Sequence, residues 1–352
     1  MDVAQIICPN CGAKLEFKAD SQKLHCDYCL SDFTNNEIKV VQNDDNNIKT
    51  TIPNQSMQEE FNSHTNLYTC DSCGAEIISD ENTAATFCHY CHSPVTLMGR
   101  VTGDCRPEFI LPFKFTREHA ESEFHKWCKK KWFLPNSFKS ERQLEKMTGL
   151  YVPFWLADCT VNGKLSAEGK IIHSYTSGDY RVTNTKIYNV ERGAYLDYLG
   201  IPADGAQKLD DELMDAVEPF DYTELQSFSM TYLPGFFADK YDVSKSAVLP
   251  RIKKRIENDV IQILKNDMIG YSAVNIKDKY INILNTTWHY VMLPVWFMTY
   301  KHNGKNYFFA LNGQTGKVSG LPPLSKTKAT IFASLMFAIF GTLAFIIGGF
   351  IV

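Results

Sequence analysis

The residues best suited to do chemistry are eight cysteines in two identical patterns. Each pattern has a C-x2-C pair, fourteen intervening residues and a second C-x2-C pair, and the second pattern begins sixty-two residues after the first. Two residues between thiolates let a tight turn direct both sulfurs at one metal ion about 2.3 Å away, as in four-cysteine zinc ribbons. The sequence therefore predicts two zinc ions per chain, with the ligands Cys8, Cys11, Cys26 and Cys29 in ribbon 1 and Cys70, Cys73, Cys88 and Cys91 in ribbon 2.

The turn that holds each C-x2-C pair, called a knuckle below, repeats between the two copies. Gly12 and Gly74 follow the first knuckles, where a residue without Cβ can adopt positive φ and turn backbone N–H groups toward the sulfurs. Tyr28 in the second knuckle of ribbon 1 recurs as Tyr90 in ribbon 2. Recurrence at one fixed spacing indicates an internal duplication of the ribbon.

Disulfides, free structural thiols and histidine ligands are the alternative interpretations of these cysteines. Disulfides require an oxidising compartment, and the chain begins Met1-Asp2-Val3 without the charged and apolar regions of a secretory signal. His25, His89 and His92 lie beside cysteines, but four thiolates already complete a tetrahedron, so we predict that these histidines are not ligands. A closed four-thiolate site leaves no position for a catalytic water. We therefore predict structural zinc.

Charge is unevenly distributed along the chain. Residues 1–98 contain five lysines, no arginine and fourteen acidic residues, whereas the rest of the chain has more basic than acidic residues. Binding of nucleic acid requires lysine and arginine to neutralise phosphates, so acidic ribbons disfavour that role. We predict that the ribbons bind proteins with basic surfaces, and that self-association into a homo-oligomer is possible.

Motifs of common enzymes are missing from the sequence. G-x-S-x-G, G-x-x-x-x-G-K-[ST], H-E-x-x-H and G-x-G-x-x-G do not occur, and Asp204, Asp239 and His289 lack partners at an interpretable spacing. We predict that the protein is not an enzyme. The alternatives are a zinc-ribbon protein that binds nucleic acid, and a redox sensor in which thiolate oxidation opens a ribbon.

The aromatic-rich region after the ribbons has both strand-like and helix-like patterns. Pro153-Phe154-Trp155-Leu156, followed by Asn162-Gly163, recurs as Pro294-Val295-Trp296-Phe297, followed by Asn303-Gly304. Asn-Gly is the commonest signal for a tight hairpin turn. The recurrence predicts an α+β domain of antiparallel sheet plus helix, with two related halves and a hairpin turn at each Asn-Gly.

The C-terminal stretch from Ala329 to Val352 is apolar and has no charged residue. At about 1.5 Å per residue it is long enough to cross a hydrocarbon core of about 30 Å. The stretch therefore predicts a single-pass protein of the cell membrane, anchored in the lipid bilayer by this C-terminal helix. The lysines that precede the helix predict that the N-terminal bulk lies in the cytoplasm. The predicted segments are ribbon 1 at 1–33, a flexible linker at 34–67 that lets the ribbons move independently, ribbon 2 at 68–98, the α+β domain at 99–325 and the anchor at 326–352.

This organisation resembles a bacterial family. Ribbons that begin Cys8-Pro9-Asn10-Cys11-Gly12-Ala13 and Cys70-Asp71-Ser72-Cys73-Gly74-Ala75, the Pro-x-Trp phrases and the apolar C-terminus resemble the YdjG-type zinc-ribbon membrane proteins. That family is encoded with SPFH (flotillin-like) and PspA-type envelope-stress proteins, and its members are often labelled TFIIB-like because of the ribbons. The resemblance implies a membrane-anchored adaptor or scaffold that recruits such proteins, and it implies no catalytic residue.

Overall fold

The computed structural model describes residues 6–35, 37–38, 58–59, 61–62, 65–80, 88–91, 93, 95–100 and 106–349. Two compact units contain these residues. The first is drawn from 1–152, 207–240 and 292–352, and the second from 153–206 and 241–291. Most of the predicted linker, together with His92 and Cys105, lies outside the described residues.

The described secondary structure is mostly β-sheet. The strands are β1 Ile6–Ile7, β2 Lys14–Lys18, β3 Lys23–His25, β4 Asp32–Phe33, β5 Thr65–Thr69, β6 Glu76–Asp80, β7 Thr96–Arg100, β8 Phe109–Ile110, β9 Thr148–Ser177, β10 Tyr180–Asp204, β11 Gln226–Ser227, β12 Phe237–Asp239, β13 Ala273–His302, β14 Lys305–Asn312 and β15 Val318–Gly320. The α-helices are α1 Arg117–Lys129, α2 Glu141–Leu144, α3 Asp211–Val217, α4 Lys245–Asn266 and α5 Lys326–Gly349.

Ribbon 1 is a small antiparallel sheet within the first unit, in the strand order β1-β2-β3-β4. Its strand β2 buries Leu15 and Phe17 on alternate positions, as expected for a half-buried strand. The backbone N–H of Phe17 donates to the carbonyl of Pro234 over 3.1 Å, and its ring lies 5.4 Å from that of Tyr232. Ribbon 1 is thus attached to the aromatic region through β2.

Ribbon 2 is joined to the same part of the first unit by strand pairing. Strand β6 pairs antiparallel with β12, which places Ile78 opposite Ala238 and Ile77 opposite Asp239. The other edge of β12 pairs parallel with the start of β9. Ribbon 2 is thus attached to the first unit through β6.

An aromatic cluster forms the core beside these strands. Phe113 and Phe236 stack at 4.1 Å, and Tyr151 and Trp296 meet Phe113 edge-on at 5.0 and 5.3 Å. Gly149 creates the space for this cluster, since a Cβ there would lie 2.5 Å from the Phe236 ring. Burial of large aromatic side chains in favourable edge-on and stacked arrangements stabilises this part of the fold.

The second unit is built on the long hairpin of β9 and β10. These strands pair antiparallel from Tyr180 opposite Ser177 to Asp204 opposite Phe154, with one irregularity between Tyr198 and Ile201. Helix α4 buries one side chain per turn, at Val248, Ile252, Ile256, Val260 and Leu264. This spacing gives α4 one apolar face.

The predicted α+β class is wrong, because strand pairing extends further than the sequence pattern indicated. Strands β9 and β10 continue over 30 and 25 residues, through one of the two positions at which a hairpin turn was predicted. Asn162-Gly163 lies inside β9 and is not a turn. The second Asn-Gly pair does form the turn between β13 and β14, with φ of 49° at Asn303 and 77° at Gly304.

The predicted transmembrane anchor at 326–352 is also wrong. Within the described part of the chain, no helix combines the length and the apolarity that crossing a bilayer requires. Helix α5 runs from Lys326 to Gly349 and includes Lys326 and Lys328 in its first turn. The predicted single-pass localisation in the cell membrane, with contact to the lipid bilayer, is corrected with it.

Both Pro-x-Trp phrases make the same hydrogen bonds. The indole N–H of Trp155 donates to the carbonyl of Val243, and that of Trp296 donates to the carbonyl of Phe115, each over 2.9 Å. Val243 lies just before α4, and Phe115 lies just before α1. Each tryptophan therefore fixes the start of one helix in its own unit.

Gly163 provides a stability test in the second unit. A Cβ at this position would lie 2.5 Å from Val260 of α4, whereas a Cβ at its neighbour Gly193 would find only ordinary contacts at 3.5 Å. We expect Gly163→Ala to lower the free energy of unfolding by about 1–3 kcal/mol through overpacking. The matched Gly193→Ala control should change it by less than about 0.5 kcal/mol in urea titrations. Equal effects of the two variants would contradict the close contact between β9 and α4.

Candidate metal centres

Each group of four cysteines brings its sulfurs together. In ribbon 1, Sγ atoms lie 3.5 Å apart in the pairs Cys8–Cys29 and Cys11–Cys26. In ribbon 2, the corresponding distances are 3.4 Å for Cys70–Cys91 and 3.5 Å for Cys73–Cys88. All four sulfurs of a group lie within 4.8 Å of one another. A tetrahedron with bonds of about 2.3 Å has edges of about 3.8 Å, so each group could hold one metal ion.

Backbone hydrogen bonds shape the first knuckle of each ribbon in the same way. Cys8 N–H donates to Ala13 over 2.7 Å and Gly12 N–H donates to Cys8 over 2.9 Å. In ribbon 2, the corresponding distances from Cys70 to Ala75 and from Gly74 to Cys70 are 2.9 and 2.6 Å. Both glycines have φ of 73°, a conformation that a residue without Cβ adopts easily.

The second knuckles lack this glycine but have a serine two residues after the last cysteine. In ribbon 1, Leu30 adopts φ of 58° and Ser31 Oγ lies 3.3 Å from Cys29 Sγ. Hydrogen bonding to Ser31 lowers the pKa of Cys29 to about 6, which favours the thiolate. In ribbon 2, burial raises the pKa of Cys73 to about 11, whereas for Cys91 the effect of burial is outweighed by hydrogen bonds to Ser93, which lower its pKa to about 6. Four thiolates so close together therefore need a cation to neutralise their mutual repulsion.

The described histidines lie away from the sulfur groups. His25 Nδ1 lies 2.6 Å from an oxygen of Asp32, and His89 Nε2 lies 3.1 Å from an oxygen of Asp239. The groups that could hold a metal contain cysteines alone in the described residues. His92 lies outside those residues.

The second knuckle of ribbon 2 holds a buried carboxylate. Asp239 in β12 is only 2% exposed, and its two oxygens meet His89 Nε2 and the hydroxyl of Tyr90, which donates a short hydrogen bond. The His89 ring packs 5.7 Å from Phe237, and Tyr90 packs 5.7 Å from Phe297. Both residues between the cysteines of this knuckle therefore attach ribbon 2 to the sheet.

The equivalent knuckle of ribbon 1 faces solvent. Tyr28 is 82% exposed and Leu30 is 74% exposed, while Tyr90 is 6% exposed. Ile7, next to Cys8, is also exposed. Ile7, Asp27, Tyr28 and Leu30 are each next to a cysteine of ribbon 1 in the sequence and are called its metal-end face below.

Comparison with known proteins shows the family of this chain. It is 35% identical over 318 residues to "Uncharacterized protein YdjG" of Bacillus subtilis (strain 168), a match that covers 82% of this chain and 93% of that relative. The chain belongs to the YdjG family. The chain matches no protein-family model and no solved structure.

Several buried or partly buried polar residues of this YdjG-family member were isolated in the sequence and have partners in the structure. Asp239 meets ribbon 2, Asp204 accepts a hydrogen bond from Arg251 over 2.6 Å, and His289 lies 3.3 Å from Asp158. Sequence reasoning missed these pairs because their members are 47 to 150 positions apart. For the Asp239 contact, the local sequence signal was the recurrence of Tyr28 as Tyr90 in the second knuckle of ribbon 2.

Proposed function

We propose that this protein is a non-enzymatic adaptor that binds two zinc ions and recruits protein partners through its ribbons. The observation that carries the proposal is the pair of closed sulfur groups, each with four cysteine ligands within 4.8 Å of one another. When bound, zinc would supply a structural cross-link between the two knuckles of a ribbon. Four protein ligands complete its coordination, so such a site is suited to shaping a surface rather than to activating water.

Zinc is the metal that best suits these ligands. Four thiolates are soft donors, and a tetrahedral sulfur site favours zinc or iron–sulfur chemistry. The four ligands of each group share one small ribbon whose second knuckle lies fourteen residues after the first. That arrangement and spacing are typical of structural zinc. We therefore propose Cys8, Cys11, Cys26 and Cys29 as the ligands of one zinc ion, and Cys70, Cys73, Cys88 and Cys91 as the ligands of the other.

Charge supports a protein partner over nucleic acid. The ribbons lie in the acidic part of the chain, and a zinc ion with four thiolates adds further negative charge. Basic protein surfaces would be attracted to this field, while phosphates would be repelled. We propose partners of the flotillin-like and PspA-type classes that the resemblance to the YdjG family suggests.

The test uses the full chain with its zinc content verified. Purified flotillin-like and PspA-type proteins from the same organism are titrated against it, and binding is followed by fluorescence anisotropy. We expect at least one to bind, with an affinity that decreases as salt is added, because exposed charges are screened within about 10 Å at 0.1 M salt. Chain stripped of zinc should bind at least about tenfold more weakly. Failure of both proteins to bind, or preferential binding of duplex DNA, would overturn the proposal.

A further inference from the structure

The two second knuckles have the same pattern but different environments. Each has the form Cys-x-Tyr-Cys, with Asp27 and Tyr28 in ribbon 1 and His89 and Tyr90 in ribbon 2. In ribbon 2, both residues are buried against strand β12. In ribbon 1, Tyr28 is 82% exposed, and the Asp27 side chain is 66% exposed.

Ribbon 2 shows how such a knuckle binds a polypeptide. A strand lies alongside the ribbon, one charged side chain reaches the residues between the cysteines, and neighbouring aromatic rings cover them. The charged group there is the carboxylate of Asp239, which lies 3.1 Å from His89 Nε2 and accepts a hydrogen bond from Tyr90. The second knuckle of ribbon 2 therefore favours a bound segment that presents a negative charge as well as a complementary shape.

Ribbon 1 reverses the charge preference of this arrangement. Asp27 replaces His89, so a carboxylate approaching Tyr28 would meet another carboxylate. The nearby charged groups are Lys18 at 3.6 Å and His25 at 3.5 Å from Asp27, with Glu16 paired to the same lysine and Asp32 paired to His25. Together with four thiolates on one divalent ion, these groups leave the metal-end face acidic.

The apolar part of this face is exposed to solvent. Ile7, Tyr28 and Leu30 are 53%, 82% and 74% exposed, and each is next to a cysteine of ribbon 1 in the sequence. Tyrosine is enriched at the centres of protein interfaces because it combines a large ring with a hydrogen-bonding hydroxyl. Its ring can also take a cation on its face.

We infer that the metal-end face of ribbon 1 is a docking site for a protein segment that presents an arginine or lysine beside an apolar residue. The cation lies between Asp27 and the Tyr28 ring, and the apolar side chain covers Leu30 and Ile7. This inference rests on the proposed adaptor function and identifies which of the two ribbons captures the partner. Ribbon 2 is excluded, because its equivalent surface already holds Asp239.

The test uses the full, zinc-loaded chain and a short fluorescent peptide that alternates leucine and arginine. Its counterpart replaces each arginine with glutamate. We expect the arginine peptide to bind, and Asp27→Arg and Tyr28→Ala each to weaken that binding by at least about tenfold, as for central interface residues. The glutamate peptide should bind Asp27→Arg better than it binds the unmodified chain.

Two controls separate docking from folding and from general charge attraction. Tyr195→Ala removes another exposed tyrosine, 73% exposed, from a strand of the second unit and should leave binding unchanged. Zinc content of every variant should stay at the level of the unmodified chain, because neither Asp27 nor Tyr28 is a ligand. Loss of binding in Tyr195→Ala to the same extent, or full binding in Tyr28→Ala and Asp27→Arg, would overturn the inference.

The flotillin-like and PspA-type titrations distinguish this inference from the proposed function. If one of those proteins binds the unmodified chain and binds Tyr28→Ala equally well, the adaptor function stands and this docking site is wrong. If neither binds the unmodified chain, the adaptor function fails independently of the peptide result.

Discussion

Replacing Cys88 with serine is expected to remove about one metal ion per chain and to destabilise the first unit by about 3–5 kcal/mol. With three thiolates left, the second knuckle of ribbon 2 is poorly held. His89 and Tyr90 then separate from Asp239, which leaves a carboxylate buried in β12 without those partners. Leaving a buried carboxylate without its polar partners costs far more than the loss of an exposed ion pair. Elemental analysis and urea unfolding measure the two effects.

Cys26→Ser is the matched control, since it removes the equivalent ligand from ribbon 1. It should also lose about one metal ion, but with a smaller cost in stability, because Asp27 and Tyr28 are exposed and hold no buried charge. Hydrogen exchange of residues 237–239 should increase in Cys88→Ser and stay unchanged in Cys26→Ser. An equal loss of protection in both variants would show that the knuckle of ribbon 2 has no special role in holding β12.

Arg251→Met should have the largest effect on the second unit. Arg251 donates to Asp204 over 2.6 Å, and the Asp204 side chain is only 1% exposed. Methionine retains much of the arginine stem's volume but provides no donor, so we expect the free energy of unfolding to decrease by about 3–5 kcal/mol. Urea unfolding followed by tryptophan fluorescence, to which Trp155 and Trp288 of this unit contribute, measures it.

A second substitution tests whether the buried charge is the cause. Adding Asp204→Asn to Arg251→Met removes the charge and should recover part of the lost stability, because a neutral amide costs less to bury than a carboxylate. The position that corresponds to Asp204 in the second Pro-x-Trp hairpin is occupied by Asn312, which lies opposite Val295. Asn312 is buried, and its side-chain amide donates to the carbonyls of Val217 and Pro219. No recovery in the double variant would mean that Arg251 stabilises the unit by packing alone.

The cysteine spacing made the sulfur groups accessible to sequence reasoning because all four ligands of a ribbon lie within a short local segment. The two Pro-x-Trp phrases were visible for the same reason. Their hydrogen bonds to Val243 and Phe115 were not, since these partners lie 88 and 181 positions away. Local patterns identify a side chain that needs a partner, but they do not identify the partner.

The errors also have physical causes. Asn162-Gly163 has the composition of a hairpin turn, but α4 crosses β9 at this position, and only glycine leaves space for Val260. The glycine was therefore selected by packing between elements, and a turn and a close contact give the same sequence signal. At the C-terminus, the apolar composition predicts a membrane span, but the described helix does not have the required combination of length and apolarity.

The different environments of Tyr28 and Tyr90 have an evolutionary consequence. Substitutions in the second knuckle of ribbon 2 would disturb its contacts with Asp239, so we expect them to affect folding. The exposed knuckle of ribbon 1 can change its surface with less effect on the sheet. Among relatives, we therefore expect His89, Tyr90 and Asp239 to be kept or lost together, while the residues at 27, 28 and 30 follow the partner that each relative binds.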